Sequence, residues 1–293
     1  MKASVRGECL CGAVAFGIAP PYRWFAHCHC SMCRKHSGSL FGSSVGVARE
    51  AFSWLRGVDD IVHYRASEAF ERPFCGRCGS TVPGASHDER FLHVPAGLLD
   101  GDFGARPRSH IFFASRSPLT EVADALPKHA AYPPGIALPV VAETRAPEPG
   151  AAVAGSCLCG AVAYAASQAP RRLWICHCSL CRRSSGAAFG STLRVPRDSF
   201  RWVRGAEGVS SYAPPAPHRY LTCFCSSCGS PVPHTTGDSQ NVGLPAGAID
   251  TPLPRLPAAH LCVGSKAPWY EIGDAWPQFD GLPPPERIKE LLS

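Results

Sequence analysis

Gly7-Glu8-Cys9-Leu10-Cys11-Gly12-Ala13-Val14-Ala15-Phe16 returns 148 residues later as Gly155-Ser156-Cys157-Leu158-Cys159-Gly160-Ala161-Val162-Ala163-Tyr164. Working outward, the whole cysteine order recurs. Cys28, Cys30 and Cys33 are matched by Cys176, Cys178 and Cys181 at the same offset, and Cys75 and Cys78 by Cys225 and Cys228 at an offset of 150. A duplication with one two-residue insertion accounts for both offsets. Internal similarity of this length is the mark of a repeated structural unit. It also excludes the opening apolar stretch as a signal peptide, because an address tag has no copy inside the fold.

The composition sets the bounds. At 293 residues the length suits about two domains, and 45% hydrophobic residues can fill two cores. A net charge of +6 without a Lys/Arg block argues against a nucleic-acid partner. No apolar run has membrane-spanning length, so no membrane partner is expected. The chain is read as soluble and cytoplasmic, a compartment where clustered cysteines more often hold metal than form disulfides.

Twenty-nine prolines and 28 glycines favour short strands and turns over long helices. Short apolar or alternating runs predict strands at Ala13–Phe16, Val45–Val47, Ile61–Tyr64, Phe91–Val94 and His110–Phe113. One helix is expected at Pro285–Leu292. The repeats are placed at 1–130 and 153–293. Residues 131–152, with Pro133-Pro134-Gly135 and Pro147-Glu148-Pro149-Gly150, read as an extended linker. A duplicated unit commonly reproduces a two-fold interface, so the repeats are expected to pack as an intramolecular pseudo-dimer.

Seven cysteines per repeat divide into four and three. A structural zinc takes four thiolates, which Cys9, Cys11, Cys75 and Cys78 supply in repeat one, and Cys157, Cys159, Cys225 and Cys228 in repeat two. Cys28, Cys30 and Cys33, and Cys176, Cys178 and Cys181, offer three ligands each. Three ligands leave a position open, as catalytic zinc requires. The expectation is two Zn2+ per repeat and four per chain. Gly38 and Gly186, just after the triplets, are expected to let substrate approach the backbone.

These strings resemble the glutathione-dependent formaldehyde-activating enzyme family, which also includes centromere protein V. The resemblance rests on Gly7-x-Cys9-x-Cys11-Gly12, Cys28-His29-Cys30-Ser31-x-Cys33-Arg34-Lys35-x-x-Gly38 and Phe74-Cys75-x-x-Cys78-Gly79-Ser80, and on their copies from Gly155 to Ser230. It implies a mainly β fold of several small coiled antiparallel sheets clipped by zinc, a β-tent, in two tandem copies. It implies a structural zinc on the quartets and a catalytic zinc on the triplets. The implied activity is carbon–sulfur lyase chemistry on a glutathione-like thiol and an aldehyde-derived carbon. The family's terminal Lys-x-x-Trp stands complete only in repeat two, as Lys266 to Trp269; repeat one has Arg116 to Leu119. Repeat two is therefore the expected reaction site.

Several positions carry two readings. Arg34, Lys35, Arg182 and Arg183 are either solvated surface or a grip on substrate carboxylates. The triplets are either open sites or structural sites closed by a fourth ligand. His29, between two ligating cysteines, is expected to point away from the ion. Trp54, Trp202, Phe41 and Phe189 are read as core, and Cys223 and Cys262 as buried inert thiols. The alternative to an enzyme is a zinc-stapled binding module without catalysis. Thiol redox chemistry through Cys75-x-x-Cys78 lacks its βαβ setting.

Overall fold

A computed structural model describes residues 5–287 apart from 69, 87, 88, 120, 137, 139, 141–144, 217–219, 236–239 and 285. Repeat one contains β1 (Val5–Glu8), β2 (Ala15–Ile18), β3 (Tyr22–Cys28), α1 (Ser31–Ser37), β4 (Gly42–Ala48), β5 (Phe52–Arg56), β6 (Ile61–Val62), β7 (Phe74–Cys75), β8 (Gly84–Ala85), β9 (Phe91–Pro95) and β10 (Ser109–Ile111). Repeat two runs β11 (Val153–Ser156), β12 (Ala163–Ala166), β13 (Leu173–Cys176), α2 (Ser179–Ser185), β14 (Gly190–Pro196), β15 (Phe200–Arg204), β16 (Val209–Tyr212), β17 (Thr222–Cys225), β18 (Asn241–Pro245) and β19 (Ala258–Leu261). Of the expected C-terminal helix only Glu286 and Arg287, both helical, are among the described residues.

Each repeat is mainly β, in several small sheets. In repeat one the orders are β1-β2-β5, β10-β3-β4-β9-β8 and β6-β7; in repeat two they are β11-β12-β15, β18-β14-β13-β19 and β16-β17. Among the described strands the pairing is antiparallel except that β10 lies parallel to β3, and β19 parallel to β13. A parallel pair needs a long crossover, and the chain between β3 and β10 provides one. Both copies also carry a register shift in the first sheet, at Ala15/Phe16 and Ala163/Tyr164. Such bulges increase strand twist and curl these short sheets.

The helices α1 and α2 escape the sequence reading for a physical reason. Seven residues are too few for an amphipathic period, and the N-caps are sulfurs: Cys30 accepts from the Cys33 amide, and Cys178 from that of Cys181. Both helices end on a left-handed glycine, Gly38 at φ 69° and Gly186 at φ 68°.

Those glycines also serve packing. A Cβ on Gly38 would stand 2.8 Å from Pro231 Cγ, and one on Gly186 would stand 2.0 Å from Thr81 Oγ1. The neighbour they admit is the other repeat. Around them the contacts are reciprocal. The Gly97 amide donates to Gly186 O (3.0 Å) and the Gly247 amide to Gly38 O (3.1 Å). Phe41 meets Phe189 edge-on at 5.1 Å, and Phe74 meets Phe224 at 6.3 Å. One contiguous apolar core holds Phe16, Phe25 and Phe41 together with Tyr164, Phe189 and Trp269. Phe41 and Phe189 are buried, whereas Trp54 and Trp202 are half-buried at its margin.

Two matched cations lock the interface. Lys35 Nζ lies 2.7 Å from Asp250 and donates to Ser156 O and Oγ, with 3% and 7% of the two charged side chains exposed. Its counterpart Arg183 bridges Glu8 (2.7 Å) and Asp100 (2.8 Å) at 28% exposure. Removing one partner of a buried pair strands a charge, while an exposed pair loses little. Lys35→Ala is expected to cost about 3–5 kcal/mol and Arg183→Ala about 1 kcal/mol or less. Equilibrium urea unfolding of the two variants measures the difference; equal losses would overturn the burial argument.

Candidate metal centres and cavity

Four groups of thiols converge as the spacing predicts, each with all sulfurs within 4.8 Å of one another: Cys9, Cys11, Cys75 and Cys78; Cys157, Cys159, Cys225 and Cys228; Cys28, Cys30 and Cys33; Cys176, Cys178 and Cys181. In the quartets Cys9–Cys11 and Cys11–Cys75 are 3.5 and 3.7 Å apart, and Cys157–Cys159 and Cys159–Cys225 are 3.4 and 3.7 Å. Four thiolates about 2.3 Å from a tetrahedral zinc would stand roughly 3.8 Å apart, so the donor set fits.

Local structure builds these cages. The CxC turn closes through the Gly12 amide on Cys9 O, and the CxxC turn through the Gly79 amide on Cys75 O. The Val14 amide donates to Cys9 Sγ (3.3 Å), the Ser80 hydroxyl contacts Cys78 Sγ (3.3 Å), and Leu10 N donates to Ser80 Oγ (3.0 Å). Repeat two reproduces all three through Val162, Ser230 and Leu158. Amide and hydroxyl donors aimed at sulfur favour the thiolate.

The triplets lie where the ends of β3 and β13 enter α1 and α2. Crowding divides the protons unevenly. Hydrogen bonds from Cys28 and Cys30 hold the Cys33 thiol well below its ordinary value, with Arg72 assisting. In repeat two Cys176 and Cys181 bring Cys178 down to about 2. The Cys30 and Cys178 sulfurs cap their helices as well as facing the cluster.

Behind each triplet runs a chain of two buried histidines and a partly exposed aspartate. His29 Nε2 pairs with His110 Nδ1 at 2.9 Å, and His110 Nε2 meets Asp124 at 2.9 Å. His177, His260 and Asp274 repeat it at 2.8 and 3.0 Å. Burial, then the neighbouring imidazole, lowers His29 and His177 to about 3, so both are neutral. His29 thus points away from the thiols, pinning the backbone between two ligands. The 150-residue offset between His110 and His260 recurs between Asp124 and Asp274, a signal that sequence reasoning missed.

The four basic positions have separate placements. Arg34 and Arg182 donate through Nε to the carbonyls of His29 and His177, bracing the triplet turns. Lys35 and Arg183 are the interface cations. Burial raises Cys223 to about 11 and also pushes Cys262 up.

A cavity of about 170 Å³ opens on Cys28, Cys30 and Cys33 of repeat one. Trp24, Phe70, Phe112 and Tyr132 form much of its apolar wall. Tyr132 and Leu138, which composition assigned to the linker, line it, as do Ser185 and Gly186 of repeat two. Its chief cation is Arg72, a residue sequence reasoning passed over. Arg72 Nη2 reaches Cys33 Sγ at 3.7 Å, its guanidinium lies 5.4 Å from the Phe70 ring, and its buried Nε has no partner. The second cavity, about 40 Å³, lies by Arg145, Tyr164 and Asp250, away from both triplets. The expectation of a reaction site in repeat two therefore meets a cavity in repeat one. Trp269, one basis of that expectation, is buried against Phe25 of repeat one at 5.2 Å.

Comparison with known proteins agrees with the cysteine pattern. The family model described as glutathione-dependent formaldehyde-activating enzyme matches residues 4–115 and again 152–265. A Halomonas elongata protein, provisionally named glutathione-dependent formaldehyde-activating enzyme, is 35% identical over 129 residues, covering 40% of this chain and 80% of the relative. A Rhodobacter sphaeroides protein of known structure is 21% identical, with a TM-score of 0.29, covering 35% of this chain and 92% of its own. No described helix is long and apolar enough to cross a membrane.

If both cluster types hold metal, they should differ on loss of a ligand. The reduced chain refolded with zinc should carry four ions by elemental analysis. Cys78→Ser should melt far lower than wild type, since a quartet joins distant segments and metal binding there is folding energy. Cys33→Ser should lower metal content by one ion with a smaller melting shift. Equal shifts would mean that the triplets are structural.

Proposed function

This chain belongs to the glutathione-dependent formaldehyde-activating enzyme family, and on that premise we propose that it makes or breaks the bond between a thiol sulfur and an aldehyde-derived carbon. The observation that carries the reading is the cavity on Cys28, Cys30 and Cys33, where three convergent thiols meet an apolar chamber containing one under-satisfied guanidinium. Zinc held by those three cysteines would supply a Lewis acid and lower the pKa of a substrate thiol.

The chain's own residues contribute placement. Trp24, Phe70, Phe112 and Tyr132 keep water from the reacting atoms. Arg72 offers a fixed positive charge beside Cys33 for the anionic end of a thiol substrate. The His29–His110–Asp124 chain holds the ligand backbone rigid, so that the thiols keep their spacing without substrate. No protein nucleophile is required, because juxtaposing thiol and carbonyl itself removes much of the barrier. Clustering of thiols at metal spacing supports a reducing, cytoplasmic setting.

The test is exchange between glutathione, formaldehyde and their adduct, followed by carbon-13 NMR on the zinc-loaded chain. Catalysis above the spontaneous rate is expected. Arg72→Gln should lower kcat/KM roughly tenfold to a hundredfold, the range for losing a charge-assisted hydrogen bond. Thiol binding without turnover would instead identify a zinc-stapled binding module.

A further inference from the structure

We propose that the chain has one ligand-accepting pocket, in repeat one, and that Trp174 fills the matching pocket of repeat two, where Cys176, Cys178 and Cys181 themselves are half-buried. This deepens the carbon–sulfur reading and rests on it. The starting point is sheet register. Ala26 of β3 pairs with Ser44 and Ser109, and Trp174 of β13 pairs with their counterparts Thr192 and Ala259. Ala26 and Trp174 therefore hold the same place in the two copies. Each is two residues before the first cysteine of its triplet and shares its face of the strand.

The occupants differ in size. Ala26 contributes a methyl group to the wall of the repeat-one cavity. Trp174 is 4% exposed and packs with Leu261, Cys176, Cys262 and Phe279, while Arg194 lies 5.5 Å from its ring. An indole thus fills the space beside Cys176 that is open beside Cys28. Other lining positions differ as well. Gly84 lines the open cavity. Its counterpart His234 presses on Gly243, where an added Cβ would stand 3.0 Å from the imidazole. Phe112 is replaced by Cys262, which packs with Cys176 against the Trp174 cluster. Tyr132, which packs edge-on to Phe112 at 4.7 Å, is replaced by Leu282, which is 74% exposed.

Among the described residues, an arginine hydrogen-bonds a triplet sulfur in repeat one alone. Arg72 stands beside Cys33 with a buried, unpartnered Nε. Its counterpart Thr222 accepts a hydrogen bond from Ser184 and carries no charge. The ligand class this favours is a small molecule with an apolar body and an anionic end, admitted at repeat one alone. Repeat two still takes part, because Ser185 and Gly186 wall the repeat-one cavity and Trp269 packs behind it on Phe25 and His27.

The experiment titrates the cobalt-loaded full chain with 2-mercaptoethanol and counts equivalents bound per chain from the thiolate-to-cobalt charge-transfer bands. Wild type should bind one equivalent. Ala26→Trp should bind none while retaining wild-type metal content and circular dichroism. Two equivalents in wild type, or an undiminished equivalent in a folded Ala26→Trp, would overturn the single-centre proposal and leave the carbon–sulfur reading standing. No binding by wild type would sink both. Because Ala26→Trp could fail to fold, wild-type crystals soaked in the same thiol provide a second measurement. Density at Cys28, Cys30 and Cys33 alone supports the proposal, and density at Cys176, Cys178 and Cys181 overturns it.

Discussion

The structure depends on thiols brought together from opposite ends of each repeat. Cys11 and Cys75 are 64 residues apart in sequence, yet their sulfurs lie 3.7 Å apart. Little else could hold those segments in register. The apolar cluster around the first quartet is small, with Leu10, Val14 and Val82 as its fully buried non-cysteine members. β6 and β7 pair over two residues only. A cage of this kind has no preformed counterpart in the unfolded chain, so binding and folding are one process. Once the quartet is tied, the first sheet stands against the CxxC turn, and β3 delivers its three cysteines to the start of α1.

Duplication then adds a second constraint. The faces that meet across the pseudo-two-fold are the glycine-capped ends of α1 and α2. Each cap is contacted by the backbone or prolines of the other copy. A side chain at Gly38 would have to displace the rings of Pro231 and Pro245, and one at Gly186 would meet Thr81 and Pro95, short or ring-bound side chains with little room to yield. The interface therefore binds both copies to the same residues. The ends of β3 and β13 that face the cavities are under no such reciprocal demand. That is where the copies diverge most in size, methyl against indole at 26 and 174, and in charge, guanidinium against hydroxyl at 72 and 222.

This division also explains what could be read from the chain alone. The thiol clusters, the mainly β character and the burial of Phe41 and Phe189 follow from spacing and from hydrophobicity, which are local properties. The two short helices were hidden because sulfur replaces the usual oxygen caps and seven residues show no period. The parallel β3–β10 pair depends on a crossover that strand-by-strand reading cannot order. Lys35 and Arg183 announce a charge but not its partner, and their partners lie in the other repeat. Trp269 misled for the same reason: it belongs to repeat two in sequence and to the shared core in space. Arg72 has an ordinary sequence setting, and only its approach to Cys33 marks it.

Charge gives the difference between the two triplets a further consequence. Three thiolates around a divalent cation carry a net formal charge of one negative, which disfavours an incoming anion. Arg72 offsets that charge in repeat one from hydrogen-bonding distance, inside a wall of aromatic carbon where screening is weak. In repeat two the position matching Arg72 is Thr222, which carries no charge. Arg194 does not compensate, since its guanidinium lies over the Trp174 ring. The Trp174 indole and an uncharged residue at position 222 thus set repeat two apart. Both are absent from repeat one, where an anionic thiol would meet an open chamber and a neutralised centre. A cavity made by a small side chain and a charge supplied by a single arginine are separable, so the two effects can be measured one at a time.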